Sequence, residues 1–239
     1  MDSKFVLLIV EGESDESFFG EYLEKKIATL EAEYGIEFLV TDGDELTSRG
    51  TKKGESIIRD LLKKQKETSK LMNKDFLFII QITDLDGSYF NADDHFEEDF
   101  LIKGKPSYEY DESTNKIRIN PSAKASVMNS WTRKKSRQEE LSQLEAIEGI
   151  PYCLVYNSLY LEHVLLSRLP RDYNEKENCI DQFLASKVTY EEFERFFESV
   201  NPCEDFVDSW DFIKSNDPSD FKAYSNVIHS FNLLSAISE

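Results

Sequence analysis

Cysteine is scarce. The 239-residue chain has three, Cys153, Cys179 and Cys203, and no Cys-x-x-Cys pair. That excludes a disulfide framework and a cysteine-built zinc site, and it points to free thiols in a reducing cytoplasm. Histidine is as scarce, and His95, His163 and His229 have no ligand-like spacing. Long apolar runs are missing. None approaches the roughly 20 residues of a membrane span, and residues 5–10 are too short for the apolar core of a secretion signal. No membrane partner is expected. Neither a Walker loop nor Gly-x-Gly-x-x-Gly occurs, so a mononucleotide site would have to be of another kind. Positive charge is short as well: 28 Lys and Arg face 47 Asp and Glu, a net charge of −19. Nucleic-acid binding normally rests on a basic surface, so any such surface here must be local.

What is abundant is core material: apolar residues make up 40% of the chain, with 17 Phe and 11 Tyr. Residues 4–10 and 76–82 are nearly continuous apolar runs, as expected of strands buried on both faces, with shorter strands over 36–40 and 152–156. Helical spacing links Phe18, Phe19, Tyr22, Leu23, Ile27 and Leu30, with Ser14 and Asp15 as N-cap candidates, and then Ile57, Ile58, Leu61 and Leu62. Gly43, Gly50 and Gly54 punctuate the loop between them. A helix over 159–169, stopped by Pro170, follows the fourth strand. This alternation predicts an α/β fold: a parallel sheet of about four strands flanked by helices. An insertion over about 90–149 interrupts it, with a hairpin over 107–120 turning near Asn115 and a polar helix over 132–147. Residues 1–170 then form the core, and 171–239 an acidic helical C-terminal region that carries Phe183, Phe193, Phe197, Trp210 and Phe221.

Two strand ends carry carboxylates: Glu11 after the first, Asp84-Leu85-Asp86-Gly87 after the third. Ligands of open parallel sheets sit outside the carboxyl ends of the strands. If the first and third strands are neighbours, three carboxylates converge and repel, and a divalent cation relieves the repulsion. Oxygen-only ligands suit Mg²⁺ or Mn²⁺ rather than zinc. Asp84 and Asp86 share a side if the strand persists, and Gly87 permits a tight turn or close approach to a phosphate. Taken singly, Glu11 is also explained as a helix N-terminal partner and Asp-x-Asp-Gly as a turn.

Val10-Glu11-Gly12, Ser14-Asp15, the Phe18-Phe19 helix and Asp84-x-Asp86-Gly87 together resemble the Toprim domain of topoisomerases, primases and OLD-type nucleases. Residues 155–166, VYNSLYLEHVLL, are similar to a strand–helix element of RloB-like Toprim proteins of bacterial defence islands, though without its proline and with Leu161 in place of Phe. The resemblance covers about 4–169. It implies an enzyme, a metal-dependent nuclease acting on RNA or DNA, tRNA included, as a toxic effector in phage defence. Glu11, Asp84 and Asp86 would be catalytic and would hold the metal with Glu162. Gly12, Asp15, Gly87 and Asn157 would support them, although Asn157 also reads as an N-cap and Glu162 as an ordinary helix residue. No zinc-binding cysteines of the primase type are present.

Backbone-binding candidates are Arg49, Lys52 and Lys53 in the Gly-punctuated loop, Lys124, and the basic run 133–137. Each lysine is equally a solvated surface group. The acidic C-terminal region suits docking to a partner such as a regulatory ATPase or another defence protein. That leaves a rival reading, a non-catalytic or partner-regulated interaction module. Homo-oligomerisation stays open.

Overall fold

The computed structural model describes residues 4–28, 34–41, 45–103, 107–186, 189–215 and 221–235; Leu30 and Gly43 lie outside them. The first half of the chain runs β1 (Lys4–Val10), α1 (Glu13–Ile27), β2 (Tyr34–Val40), α2 (Gly54–Ser69), β3 (Phe76–Asp84), α3 (Ala92–His95), β4 (Phe96–Glu98), β5 (Tyr108–Asp111) and β6 (Lys116–Ile119). Then come α4 (Pro121–Leu141), β7 (Ala146–Ile147), β8 (Ile150–Asn157), α5 (Leu161–Leu166), α6 (Tyr173–Ser186), α7 (Tyr190–Val200), α8 (Phe206–Ser215) and α9 (Ile228–Ser235). The result is a mixed α/β fold with sheets flanked by helices and a helical C-terminal region.

The main sheet has the order β2-β1-β3-β8-β7. Its first four strands are parallel, and the two-residue β7 adds an antiparallel edge. Glu148 and Gly149, both at positive φ, make the tight turn from β7 to β8. Both faces of the central strands are buried, and the period of two sends alternate residues to opposite layers. Val6, Leu8 and Val10 join Ile80, Ile82 and Val155 under α1, α6, α7 and α9. Leu7 and Ile9 join Ile79, Leu154 and Tyr156 under α2, the end of α4, and α8. The C-terminal aromatics are therefore core: Phe193 and Phe197 fill one layer and Trp210 the other. The Trp210 indole N–H also donates to the Leu154 carbonyl at 3.1 Å. Among the described residues, no helix is long and apolar enough to cross a membrane.

The insertion folds into a three-stranded sheet, β4-β6-β5, followed by α4. The hairpin forms where expected, with Asn115 at φ 56° between β5 and β6. The polar helix differs: α4 starts at Pro121, not near 132, and ends at Leu141. Asn120 accepts the Ser122 N–H at 2.9 Å and Pro121 takes the first turn, an N-cap followed by proline. Residues Ala146–Ile147 are strand, not helix. Three further expectations fail. Gly12, in an extended conformation, caps α1, and Ser14 and Asp15 lie inside its first turn. Ser167, at φ 55°, ends α5 before Pro170 is reached. Phe221 lies outside any helix.

Two contacts seat α4 across the carboxyl ends of the sheet. Arg137 donates to the carbonyls of Leu46, Ser48, Gly50 and Lys52, which ties the loop before α2 to the helix. Trp131 lies against Gly87, where an added Cβ would fall inside the indole ring. Close packing by itself requires glycine there. Gly87→Ala should cost about 1–3 kcal/mol of overpacking, read as a fall of about 3–10 °C in melting temperature. A variant melting with the wild type would show that Trp131 is not seated on Gly87.

Candidate active site

β1 and β3 are hydrogen-bonded neighbours, so Glu11 and Asp84 emerge side by side. Glu11 is held by the adjacent strand: Thr83 Oγ1 donates to its Oε1 at 2.8 Å, and the Asp84 N–H donates to the same oxygen at 3.2 Å. From α4, Gln138 Nε2 donates to Thr83 Oγ1 at 3.0 Å and to the Asp84 carbonyl at 3.1 Å. On the other flank, Asn157 ends β8 and its Nδ2 donates to Asp84 Oδ1 at 3.3 Å. The Asn157 Oδ1 accepts from Ser225 Oγ at 3.1 Å, which fixes the amide's orientation from the C-terminal region. Asn157 is a supporting group here and not a helix cap; Tyr160 caps α5.

Asp86 does not continue the strand. It adopts φ 49°, a left-handed conformation that Asp tolerates, and its N–H donates to the Leu159 carbonyl at 3.0 Å. The turn aims Asp86 Oδ2 at Lys134 Nζ, 2.7 Å away. The same ammonium lies 3.4 and 3.5 Å from the two oxygens of Glu11. The Lys134 side chain is fully buried, with 0% exposure, while Glu11 and Asp86 keep 18% and 23%. One buried cation thus stands between two of the three predicted carboxylates. Among the described residues, no group of three or more His, Cys, Asp or Glu side chains is arranged to hold a metal ion. In this conformation the gap between Glu11 and Asp86 is filled by Lys134.

A second acidic pair adjoins the first. Asp15, in the first turn of α1, is pushed up to about 7 by burial and then by the Glu162 carboxylate. Glu162 itself sits in the first turn of α5, 4.0 Å from Lys176. Asp84 is held well above the ordinary carboxylate range by burial, then by Glu11, Asp15 and Asp86. Beside Asp84 and Asp86 opens a cleft of about 440 Å³, walled by Tyr108, Tyr110, Tyr160 and Lys176.

The basic candidates lie elsewhere. Arg49, Lys52 and Lys53 are exposed, and Lys52 pairs with Asp60 at 2.6 Å. Lys52 and Lys53 line a separate groove of about 320 Å³ with Arg133 and Arg137, whose guanidinium is turned onto backbone carbonyls. Lys124 pairs with Glu98 at 3.0 Å. None of these lines the acidic cleft. Lys134 escapes a reading by charge runs, although Trp131, Lys134, Gln138 and Leu141 are helically spaced and all buried. Tyr108 and Tyr110 share one face of a strand by the period of two, a signal that the hairpin pattern contained. Cys153 and Cys179 are core thiols, with burial pushing Cys153 up to about 12 and Cys179 to about 11, whereas Cys203 is half-buried.

Lys134→Met keeps the length of the side chain and deletes its charge, leaving Glu11 and Asp86 uncompensated. Breaking a largely buried pair costs about 3 kcal/mol, so the melting temperature should fall by about 10 °C. An unchanged melt would show that the ion pair does not hold α4. The carboxyl shifts set a pH dependence. Asp15 titrates near its ordinary 3.8 when unfolded and near 7 when folded, so the native state binds more protons between those values. The Asp15 contribution to stability is full below about pH 4 and is lost as pH rises toward 7, and Asp84 acts in the same direction. Denaturant titration at pH 5 and pH 8 should show the decline, and Asp15→Asn should flatten it; an equal slope in that variant would remove Asp15 as its source.

No family model, curated protein or solved structure matches this chain, so its own geometry carries the functional reading.

Proposed function

We propose that the chain is a divalent-metal-dependent nuclease with a Toprim-like core, hydrolysing phosphodiester bonds of RNA or DNA as an effector in phage defence. One observation carries this reading: Glu11, Asp84 and Asp86 converge where two adjacent parallel strands end, beside an open cleft. Fold-level likeness alone would not be enough, because one fold hosts several chemistries.

The donor set fits a hard cation. Every candidate ligand is a carboxylate oxygen, and burial first, then the neighbouring carboxylates, hold Asp84 well above the ordinary carboxylate range even with Lys134 present. Asp84 and Asp86 would hold Mg²⁺ or Mn²⁺ with Glu11. The ion would supply Lewis-acid polarisation of a phosphate and stabilise charge on the transferring group. The chain's own groups prepare that centre. Thr83 and the Asp84 N–H fix Glu11 through Oε1, and Lys134 Nζ lies 3.5 Å from Oε2, the oxygen that would take a proton from water or give one to a leaving hydroxyl. Asn157 orients the Asp84 carboxyl, whose affinity for a proton is raised by burial and by its acidic neighbours. Glu162, the fourth ligand that the resemblance implies, lies beside Asp15 and 4.0 Å from Lys176.

The rival reading, a partner-regulated module that docks through its acidic C-terminal region, draws on the exposed Tyr173 and Val207, 72% and 61% accessible, on α6 and α8. Phe193, Phe197 and Trp210 are committed to the core, so only the outer faces of those helices are free for a partner.

Glu11→Gln separates the readings. Glutamine can still accept from Thr83 and the Asp84 N–H, and Lys134 keeps its closer partner Asp86 at 2.7 Å, so the fold should survive with a fall in melting temperature smaller than that of Lys134→Met. Cleavage of labelled RNA, tRNA or DNA in Mg²⁺ should fall at least about 1,000-fold. Retained cleavage would remove Glu11 from the chemistry, and a wild-type chain inert on all three substrates in Mg²⁺ and Mn²⁺ would favour the docking module.

A further inference from the structure

We propose that the tyrosine-walled cleft beside Asp84 and Asp86 receives one unpaired nucleotide, which makes single-stranded nucleic acid, or an unpaired loop, the substrate. The inference rests on the nuclease reading for the position of the phosphate, and on the cleft itself for the base.

The cleft's volume, about 440 Å³, is that of a site for a small ligand or a single nucleotide, not for a helical segment. Its polar end is Asp84 and Asp86, where the phosphodiester would lie, and its flank is aromatic. Tyr108 and Tyr110 come from β5, and Tyr160 from the cap of α5. These rings are already braced. Tyr108 stands edge-on to Trp131 at 4.9 Å, Tyr110 edge-on to Phe221 at 5.8 Å, and Tyr110 lies 6.1 Å from Tyr160. A braced aromatic wall costs little ordering on binding and stacks any base, because every base has a π face. A paired base is unavailable to such a wall unless it leaves the helix.

Charge points the same way. Lys176, with Nζ 4.7 Å from the Tyr160 ring and 4.0 Å from Glu162, is the cation of the lining among the described residues, and Glu109 also lines the cleft. Against a net charge of −19, a long phosphate backbone would be repelled, so contact must be short and local. Each phosphate neutralised on a single strand contributes a slope of about −0.7 to log K against log salt. One contact through Lys176 predicts a slope of about −0.7, far shallower than that of a basic-groove binder.

The test uses the full Glu11→Gln chain in Mg²⁺, so that binding is read without cleavage. Its ligands are a short single-stranded DNA and its RNA counterpart, each carrying 2-aminopurine, and the same sequence as a blunt duplex. Expected are single-strand binding at least 10-fold tighter than duplex binding, quenching of 2-aminopurine on binding, and the shallow salt slope. In the same background, Tyr160→Leu should weaken binding about 10-fold and abolish the quench, whereas Tyr160→Phe should keep both. Equal or tighter duplex binding, absence of quenching, or a Tyr160→Leu chain that binds and quenches like its parent would overturn the proposal. The two readings fail separately. A wild-type chain that cuts intact duplex sinks the unpaired-nucleotide inference and leaves the nuclease. A chain that binds and quenches single strands but never cuts sinks the nuclease and leaves the cleft.

Discussion

The ammonium of Lys134, buried between Glu11 and Asp86, is the interaction on which the rest of the site depends. Two adjacent parallel strands deliver like charges to one place, and water is partly excluded from it. Without a counter-charge the arrangement would push its own strands apart. A lysine buried to this degree is itself costly unless its charge is paired. The helix that carries it must therefore be held tightly, and α4 is. Trp131 closes over Gly87, Gln138 bonds Thr83 and the Asp84 carbonyl, and Arg137 gathers four carbonyls of the neighbouring loop. The inserted segment is thus part of the site's electrostatics and not an ornament on a finished core.

The C-terminal region plays a matching role on the opposite flank. Ser225 orients Asn157, and the Asn226 side chain accepts the Tyr156 N–H at 2.6 Å while donating to Ser209. Tyr156 in turn donates its hydroxyl to the Ser209 carbonyl. The end of β8 is therefore locked by residues some 50 to 70 positions later in the chain. An acidic exterior and an aromatic interior coexist in these helices because the two functions use different faces. Phe193 and Phe197 lie on the sheet side of α7, while its Glu residues stay in water or, like Glu194, reach back to Lys26 and Tyr22.

Much of this was legible. The runs that became β1, β3 and β8 are apolar at consecutive positions, which only a strand buried on both faces requires, and their carboxyl ends located Glu11 and Asp84. The neighbourhood of β1 and β3 was the condition on which convergence hung, and the chain meets it. Less legible was anything set by contact at long range. Asp86 looked like a continuation of the strand, but the Leu159 carbonyl captures its N–H and turns it into the left-handed region. Lys134 sat in a basic run whose members look alike in sequence; only its helical phase with Trp131 and Gln138 distinguishes it, and that phase was hidden while the helix was started near 132 instead of at Pro121. The Asn120-Pro121 cap was the local signal that would have corrected the start.

The acidity of the chain is the fact most at odds with a nucleic-acid substrate, and the structure gives it a place in the reasoning. Lys52, Lys124 and Arg137, which a backbone-tracking surface would need, are engaged with Asp60, Glu98 and backbone carbonyls. An extended basic footprint is therefore not how this molecule would hold a polyanion. What remains near the carboxylates is a small aromatic cleft with Lys176 on its lining. On the nuclease reading, recognition in such a place would come from one stacked base and from a single phosphate contact, both of which act over a single nucleotide. The surrounding negative potential would then work as a filter: it would penalise each further phosphate that approaches, most strongly for the long, stiff, doubly charged backbone of a duplex and least for a short unpaired segment.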